Sequence, residues 1–149
     1  MIVVDTNLLV YFYIQSEYSD LAEKAFLKDP RWISPLLWRS EFLNVLAACI
    51  KKHFVDFEVA VEIIGEAERL MAGHEYAISS LDILRLAANS QCSAYDCEFV
   101  ALAMELNIPL VTMDERVLAE FPGTAIRLDD FVRQKKMGKH YDKSDWRRF

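Results

Sequence analysis

Ile2-Val3-Val4-Asp5-Thr6-Asn7-Leu8-Leu9-Val10 sets three β-branched apolar residues before an acid and then continues apolar. Ile2-Val3-Val4 reads as a short strand covered on both faces, which is the pattern of a parallel sheet. Asp5 ends it, and Thr6 to Ile14 follows as a mostly apolar first helix. The signature returns late in the chain, where Pro109-Leu-Val-Thr-Met113 precedes Asp114. Open parallel sheets bind ligands outside the carboxyl ends of their strands, so both acids stand where a site is expected.

Outward from these two strands, helices and strands alternate. Tyr18 to Lys28 is an amphipathic helix with Leu21, Ala22, Ala25 and Phe26 on one face, ended by Pro30. Residues 31–33 predict a second, very short strand. Ser34-Pro35 has the form of a helix start, a capping hydroxyl and then proline at the first helical position. That helix is expected to reach about Lys52, with Leu36, Leu37, Leu43, Leu46, Ala47 and Ile50 inward. Asp56 to Met71 repeats the pattern and stops at Gly73. Residues 76–78 suit a third strand and 125–128 a fifth. Ser79-x-x-Asp82 and Ser93-x-x-Asp96 each open a further helix as capping boxes. The expected fold is α/β: a three-layer α/β/α sandwich around a central parallel sheet of four to five strands. It spans residues 1–132, and residues 133–149 form a basic C-terminal extension.

Length and composition agree with one such domain. The chain has 149 residues, 53% of them hydrophobic, with only four glycines and four prolines, which excludes a largely disordered or repeat-linker protein. The high apolar content points to a self-association surface. No run of about 18 apolar residues is present to cross a membrane. Cys49, Cys92 and Cys97 are odd in number and follow no zinc spacing, and the three histidines are scattered. Reduced thiols in a cytoplasmic protein are the expectation. The opening segment reads as the first structural element and not as a signal peptide. The formal charge of −6 conceals a division. Positions 133–149 hold seven basic and two acidic residues, leaving 10 basic and 21 acidic in positions 1–132. Such a tail either reaches for an anionic partner or is a solvated end.

Two further acids lie on apolar helix faces. Asp96 shares a stripe with Phe99, Val100 and Ala103, and Glu41 has Leu37 and Val45 four residues either side. Glu98 and Glu105 are offset and expected in water. Each of the four has a structural reading too: Asp5 and Asp114 as N-caps, Asp96 as the acid of its capping box, Glu41 at a helix edge. Ser, Thr or Asn serves a cap equally well, so capping does not account for a carboxylate at every position. Two such charges at about 5 Å repel by roughly 3 kcal/mol at an effective dielectric of ~20. Either their pKa values rise or a cation offsets the charge. An all-oxygen site without histidine or cysteine suits Mg²⁺ or Mn²⁺, and such a cation suits phosphodiester hydrolysis.

With these residues in order, the sequence resembles the PIN-domain proteins and is most similar to VapC-type toxin ribonucleases. The resemblance covers about residues 1–132. It rests on Val4-Asp5-Thr6-Asn7, Ser40-Glu41, Ser93-Ala-Tyr-Asp96 leading into Phe99-Val-Ala-Leu-Ala103, and Leu110-Val-Thr112-Met-Asp114. It implies a Rossmann-like sheet, a divalent metal, and endonucleolytic cleavage of RNA by activated water to 5′-phosphate and 3′-hydroxyl ends. It also implies Asp5, Glu41, Asp96 and Asp114 as the acid quartet. Asp5 and Asp96 would be direct ligands, and Glu41 and Asp114 would bind directly or through water. Thr112, Thr6 and Asn7 are auxiliary residues that fix a water or a carboxylate. A small antitoxin crossing the acidic groove and a homodimer are implied as partners. Leu8, Leu9, Val10 and Phe12, with the helix after Pro35, are the candidate groove walls.

An acidic pocket needs cations to hold phosphates, and Arg39 and Arg116, each two residues from a quartet acid, are the candidates. Tyr141, Trp146 and Phe149 in the basic tail would add stacking. Glu115 is an auxiliary ligand or an acid in a helix first turn, Asp82 a capping acid, and Cys97 a packing residue. Two other readings compete. A haloacid-dehalogenase-type phosphatase also starts with a strand ending in Asp, but its proton-donating second Asp is replaced by Asn7 here. A catalytically silent PIN-fold binding module would keep the fold without the reaction.

Overall fold

The computed structural model describes residues 1–135. Five strands form the sheet: β1 (Ile2–Val4), β2 (Trp32–Pro35), β3 (Glu75–Tyr76), β4 (Leu110–Thr112) and β5 (Ala125–Arg127). The helices are α1 (Thr6–Tyr13), α2 (Ser19–Lys28), α3 (Trp38–Lys51), α4 (Phe57–Met71), α5 (Ser80–Ala88), α6 (Ala94–Leu106), α7 (Glu115–Glu120) and α8 (Leu128–Arg133). All strand pairs are parallel, in the order β3-β2-β1-β4-β5. The expected three-layer α/β/α architecture is the one found.

The pleat divides the core in two. Ile2 and Val4 of β1, Trp32 of β2 and Val111 of β4 face α1, α2, α3, α4 and α8. Val3, Ile33 and Leu110, the alternate residues, face α6 and α7. Leu8 and Leu9, expected to wall a partner groove, are fully buried in the first of these cores. The apolar first helix is therefore a core helix.

The largest departure from expectation is at Ser34-Pro35. Both residues belong to β2, and the helix starts only at Trp38. The ladder explains this. Ile2 donates to the Arg31 carbonyl, and Ile2 and Val3 pair with Trp32 and Ile33. The parallel register then calls for an N–H at position 35 to reach the Val4 carbonyl. Proline has none, and the fully buried Ser34 hydroxyl donates to that carbonyl instead at 2.7 Å. The serine that looked like a helix cap completes a strand.

Other boundaries follow their punctuation. α4 ends before Gly73, which sits at φ 77°, a left-handed turn that glycine adopts without strain. Ser79 caps α5 through the Asp82 amide. β3 is shorter and earlier than expected, at 75–76. Arg133 closes α8 and pairs with Asp129 and Asp130. Tyr141, Trp146 and Phe149 lie outside the described residues. Among those described, no helix is long and apolar enough to cross a membrane.

Candidate active site

The strand order reverses beside β1: the chain moves outward through β2 and β3, then returns to the other side for β4 and β5. A crevice opens at such a switch point. Asp5 and Asp114 leave the sheet there, directly after β1 and two residues after β4. A cleft of about 300 Å³ is lined by Asp5, Thr6, Asn7, Glu41, Asn44, Val45, Asp96 and Asp114. Four acids from four separate segments thus share one pocket.

Each carboxylate is gripped by its local fold. Val3 and Val4 pair with Leu110 and Val111, which brings Asp5 opposite Thr112. The buried Thr112 hydroxyl donates to Asp5 Oδ2 at 2.6 Å and accepts the Asp114 amide at 3.0 Å. Because its lone pair takes that N–H, its single proton is committed to Asp5. The Thr6 hydroxyl, in the first turn of α1, donates to Glu41 Oε1 at 2.9 Å. Asp96 closes a capping box with Ser93: its amide donates to Ser93 Oγ at 3.1 Å, and its Oδ2 accepts the Ser93 amide at 3.3 Å. Asp114 Oδ1 caps α7 by accepting the Arg116 and Val117 amides, both at 2.9 Å. Capping and site-building therefore coexist in Asp96 and Asp114, each of which keeps lone pairs for the cleft. Asp5 occupies the N-cap position of α1, but its nearest side-chain donor is Thr112.

Burial pushes the Asp5 carboxyl above its ordinary pKa, and Asp114 and Asp96 push the same way, against the Thr112 hydroxyl and the Asn7 amide. Glu41 is raised too, first by burial and then by Asp5, Asp96 and Glu98, against the Thr6 hydroxyl. Glu98 is not fully solvated as expected: it is half-buried and its own carboxyl is raised by burial. The cluster stands open. Among the described residues, no three His, Cys, Asp or Glu side chains are arranged to hold a metal ion as they stand.

The expected auxiliary residues Thr6, Asn7 and Thr112 lie in or under the cleft, but the two expected cations do not line it. Arg39 reaches Glu68 of α4 at 2.8 Å, and Arg116 turns toward the Gln91 carbonyl at 3.5 Å. Asn44 was missed by sequence reasoning, and Val45, placed beside Glu41 on its helix face, was not expected to line the cleft. Their signal was available, since three and four residues after Glu41 is the same helix face. Glu115 pairs with Arg127 and stays in the first turn of α7. Cys97 is fully buried with its thiol pushed up by burial, and Cys92 is pushed up to about 11, so both are packing residues.

Ribonuclease VapC3 of Pyrobaculum aerophilum is 27% identical over 124 residues, covering 81% of this chain and 95% of that protein. The crystal structure of PAE2754 from Pyrobaculum aerophilum has a TM-score of 0.69 at 22% identity, covering 88% of this chain and 92% of that one. FitAcB from Neisseria gonorrhoeae has a TM-score of 0.65 at 13% identity, and a toxin–antitoxin complex from Klebsiella pneumoniae 0.64 at 17%. Each of these two covers 86% of this chain and 98% of the matched chain. These structural likenesses establish a shared fold. The PIN domain family model matches residues 2–123, a span that takes in all four acids of the cleft, and the chain belongs to the PIN domain family.

Proposed function

We propose that this protein is a divalent-metal-dependent endoribonuclease and the toxin of a toxin–antitoxin pair. The observation that carries the reading is the convergence of Asp5, Glu41, Asp96 and Asp114 on one cleft at the switch point of the sheet. The relative named as a ribonuclease and the fold neighbour solved as a toxin–antitoxin complex support it.

The donor set fits a hard cation. Every acid lining the cleft offers oxygen alone, which suits Mg²⁺ or Mn²⁺, ions that keep several waters and take one or two carboxylates directly. Asp5 and Asp96 would hold the ion, with Glu41 and Asp114 completing the shell directly or through water. When bound, the ion offsets the clustered charge, polarises the phosphoryl oxygens and acidifies the attacking water. The protein's own part is orientation. Thr112 aims Asp5, Thr6 aims Glu41, and the two helix caps hold Asp96 and Asp114, so that little reorganisation accompanies reaction. Water attacks phosphorus in line, the P–O3′ bond breaks, and the ends carry 5′-phosphate and 3′-hydroxyl. The apolar groove between α3 and α4, about 330 Å³ and lined by Leu43, Leu46, Ile50, Phe57 and Val61 among others, is the wall for an amphipathic antitoxin helix. A homodimer in the cytoplasm completes the proposal.

The purified protein incubated with total RNA should cleave it with Mg²⁺ or Mn²⁺ and not with chelator. Asp5→Asn and Asp96→Ser should abolish cleavage while both proteins stay folded, since Asp5 makes no side-chain cap and Ser93 still caps α6 through the backbone amide at position 96. Equal cleavage by these variants would place the reaction outside the cleft and sink the reading, whereas a parent that leaves RNA intact with either metal would leave the silent binding module, which has the same fold and the same cleft.

A further inference from the structure

Residues 42–55 contain no acid, in a body that carries 21 acidic residues over positions 1–132. This acid-free stretch starts at the cleft. Glu41 and Asn44 line the pocket, and α3 then runs away from it toward the turn into α4. At 100° per residue, Val45, Ala48 and Lys52 follow Glu41 along one face, and Lys52 lies about 16 Å from Glu41 along the axis. Asn44, Ala48, Lys51 and Lys52 are exposed on that side. Leu43, Leu46, Ala47 and Ile50, which face α4, point the opposite way.

The end of the track is unusual. His53 adopts the left-handed conformation at φ 60°, its amide donates to the Ile50 carbonyl, and the Phe54 amide donates to Cys49 at 2.9 Å. This is a Schellman ending, in which glycine is the unstrained residue and the following apolar side chain normally folds back on the helix. Here a histidine takes the strained position, and Phe54 is 75% exposed. Lys24, Arg31, Arg39 and Arg127 are each committed to a carboxylate, whereas the Lys51 and Lys52 side chains have no ion pair or hydrogen bond among the described residues. Uncommitted cations beside an exposed aromatic ring are the elements of a single-strand nucleic-acid platform.

We infer that the exposed face of α3 and its tip form a second RNA contact, where Lys51, Lys52 and His53 hold backbone phosphates and Phe54 stacks a base a few nucleotides from the cleaved bond. The inference rests on the ribonuclease reading and deepens it. Beyond Glu41, the track offers RNA a path on which α3 presents no repelling carboxylate.

The test is binding of a fluorescently labelled single-stranded 12-mer RNA to the full chain in chelator, read by anisotropy across a salt series. Cleavage with Mn²⁺ is followed in parallel. Lys51→Ala/Lys52→Ala should lower the slope of log affinity against log salt by about 1.4, the value for two phosphate contacts on a single strand. Phe54→Ala should weaken binding at least about fivefold. His53→Gly should lose affinity while its thermal midpoint holds or rises, which separates RNA contact from folding. In cleavage the variants should raise KM and leave kcat unchanged. Parental salt slope and KM in the lysine variant, with the parent still cleaving RNA, would overturn the track alone. A parent that neither binds nor cleaves RNA would overturn the track and the ribonuclease reading together. Conversion of a dimer to a monomer by these substitutions would instead assign the face to a second copy and overturn the inference.

Discussion

Thr112 is the residue on which the cleft depends most. Its hydroxyl is fully buried between two acids, takes the Asp114 amide and gives its proton to Asp5. Valine has nearly the same shape and neither function. Thr112→Val would strand the half-buried Asp114 N–H and remove the donor from a carboxylate that burial already disfavours in its charged form. A loss of about 1–3 kcal/mol in urea unfolding is expected, together with a large fall in cleavage, while Thr112→Ser should keep most of both. A Thr112→Val protein as stable as the parent would mean that the hydroxyl is idle. Thr6 plays the parallel part for Glu41 from the neighbouring helix.

At the scale of elements, β2 ends on a proline and β1 next to it keeps its last carbonyl satisfied only through Ser34. Ser34→Ala should cost about 1–2 kcal/mol, because the Val4 carbonyl is then buried without a donor. Adding Pro35→Ala restores the backbone N–H that the parallel register calls for, so the double variant should recover part of the loss. Denaturant midpoints of the two proteins decide this, and a double variant weaker than Ser34→Ala would contradict the ladder account. The expectation of a helix at Ser34-Pro35 failed for the same reason. Serine followed by proline is a helix start only when no neighbouring strand claims the serine hydroxyl, and β1 makes that claim from 30 residues away. Ser93-x-x-Asp96 read correctly as a capping box because all its partners lie within one turn.

For the whole molecule, the raised carboxyls of Asp5 and Glu41 set the sign of a pH effect. A carboxyl that binds its proton more tightly when folded favours folding at acid pH. That contribution is lost as pH rises from the ordinary carboxylate value through the raised one. In chelator, Asp5→Asn lacks this penalty, so its thermal midpoint should exceed that of the parent by a margin that widens as pH rises out of the acid range. Saturating Mg²⁺ should close the margin by stabilising the parent, since a ligand of the folded state raises its midpoint. A margin that ignores both pH and Mg²⁺ would show that the clustered carboxylates neither repel one another nor share an ion.

Local sequence determined that β1 and β4 are buried strands, that Ser79 and Ser93 cap α5 and α6, and that an acid stands just beyond each of those two strands. Apolar runs, hydroxyl caps and a left-handed glycine act over a few residues and are legible there. Convergence was decided by tertiary structure. Asp5 meets Thr112 across 107 residues because β1 and β4 pair in one register, and that register belongs to no single segment. Arg39 and Leu8, plausible for the site in one dimension, were claimed by Glu68 and by the core. Side chains at a given spacing become a ligand set or a packing layer according to what the rest of the chain brings against them.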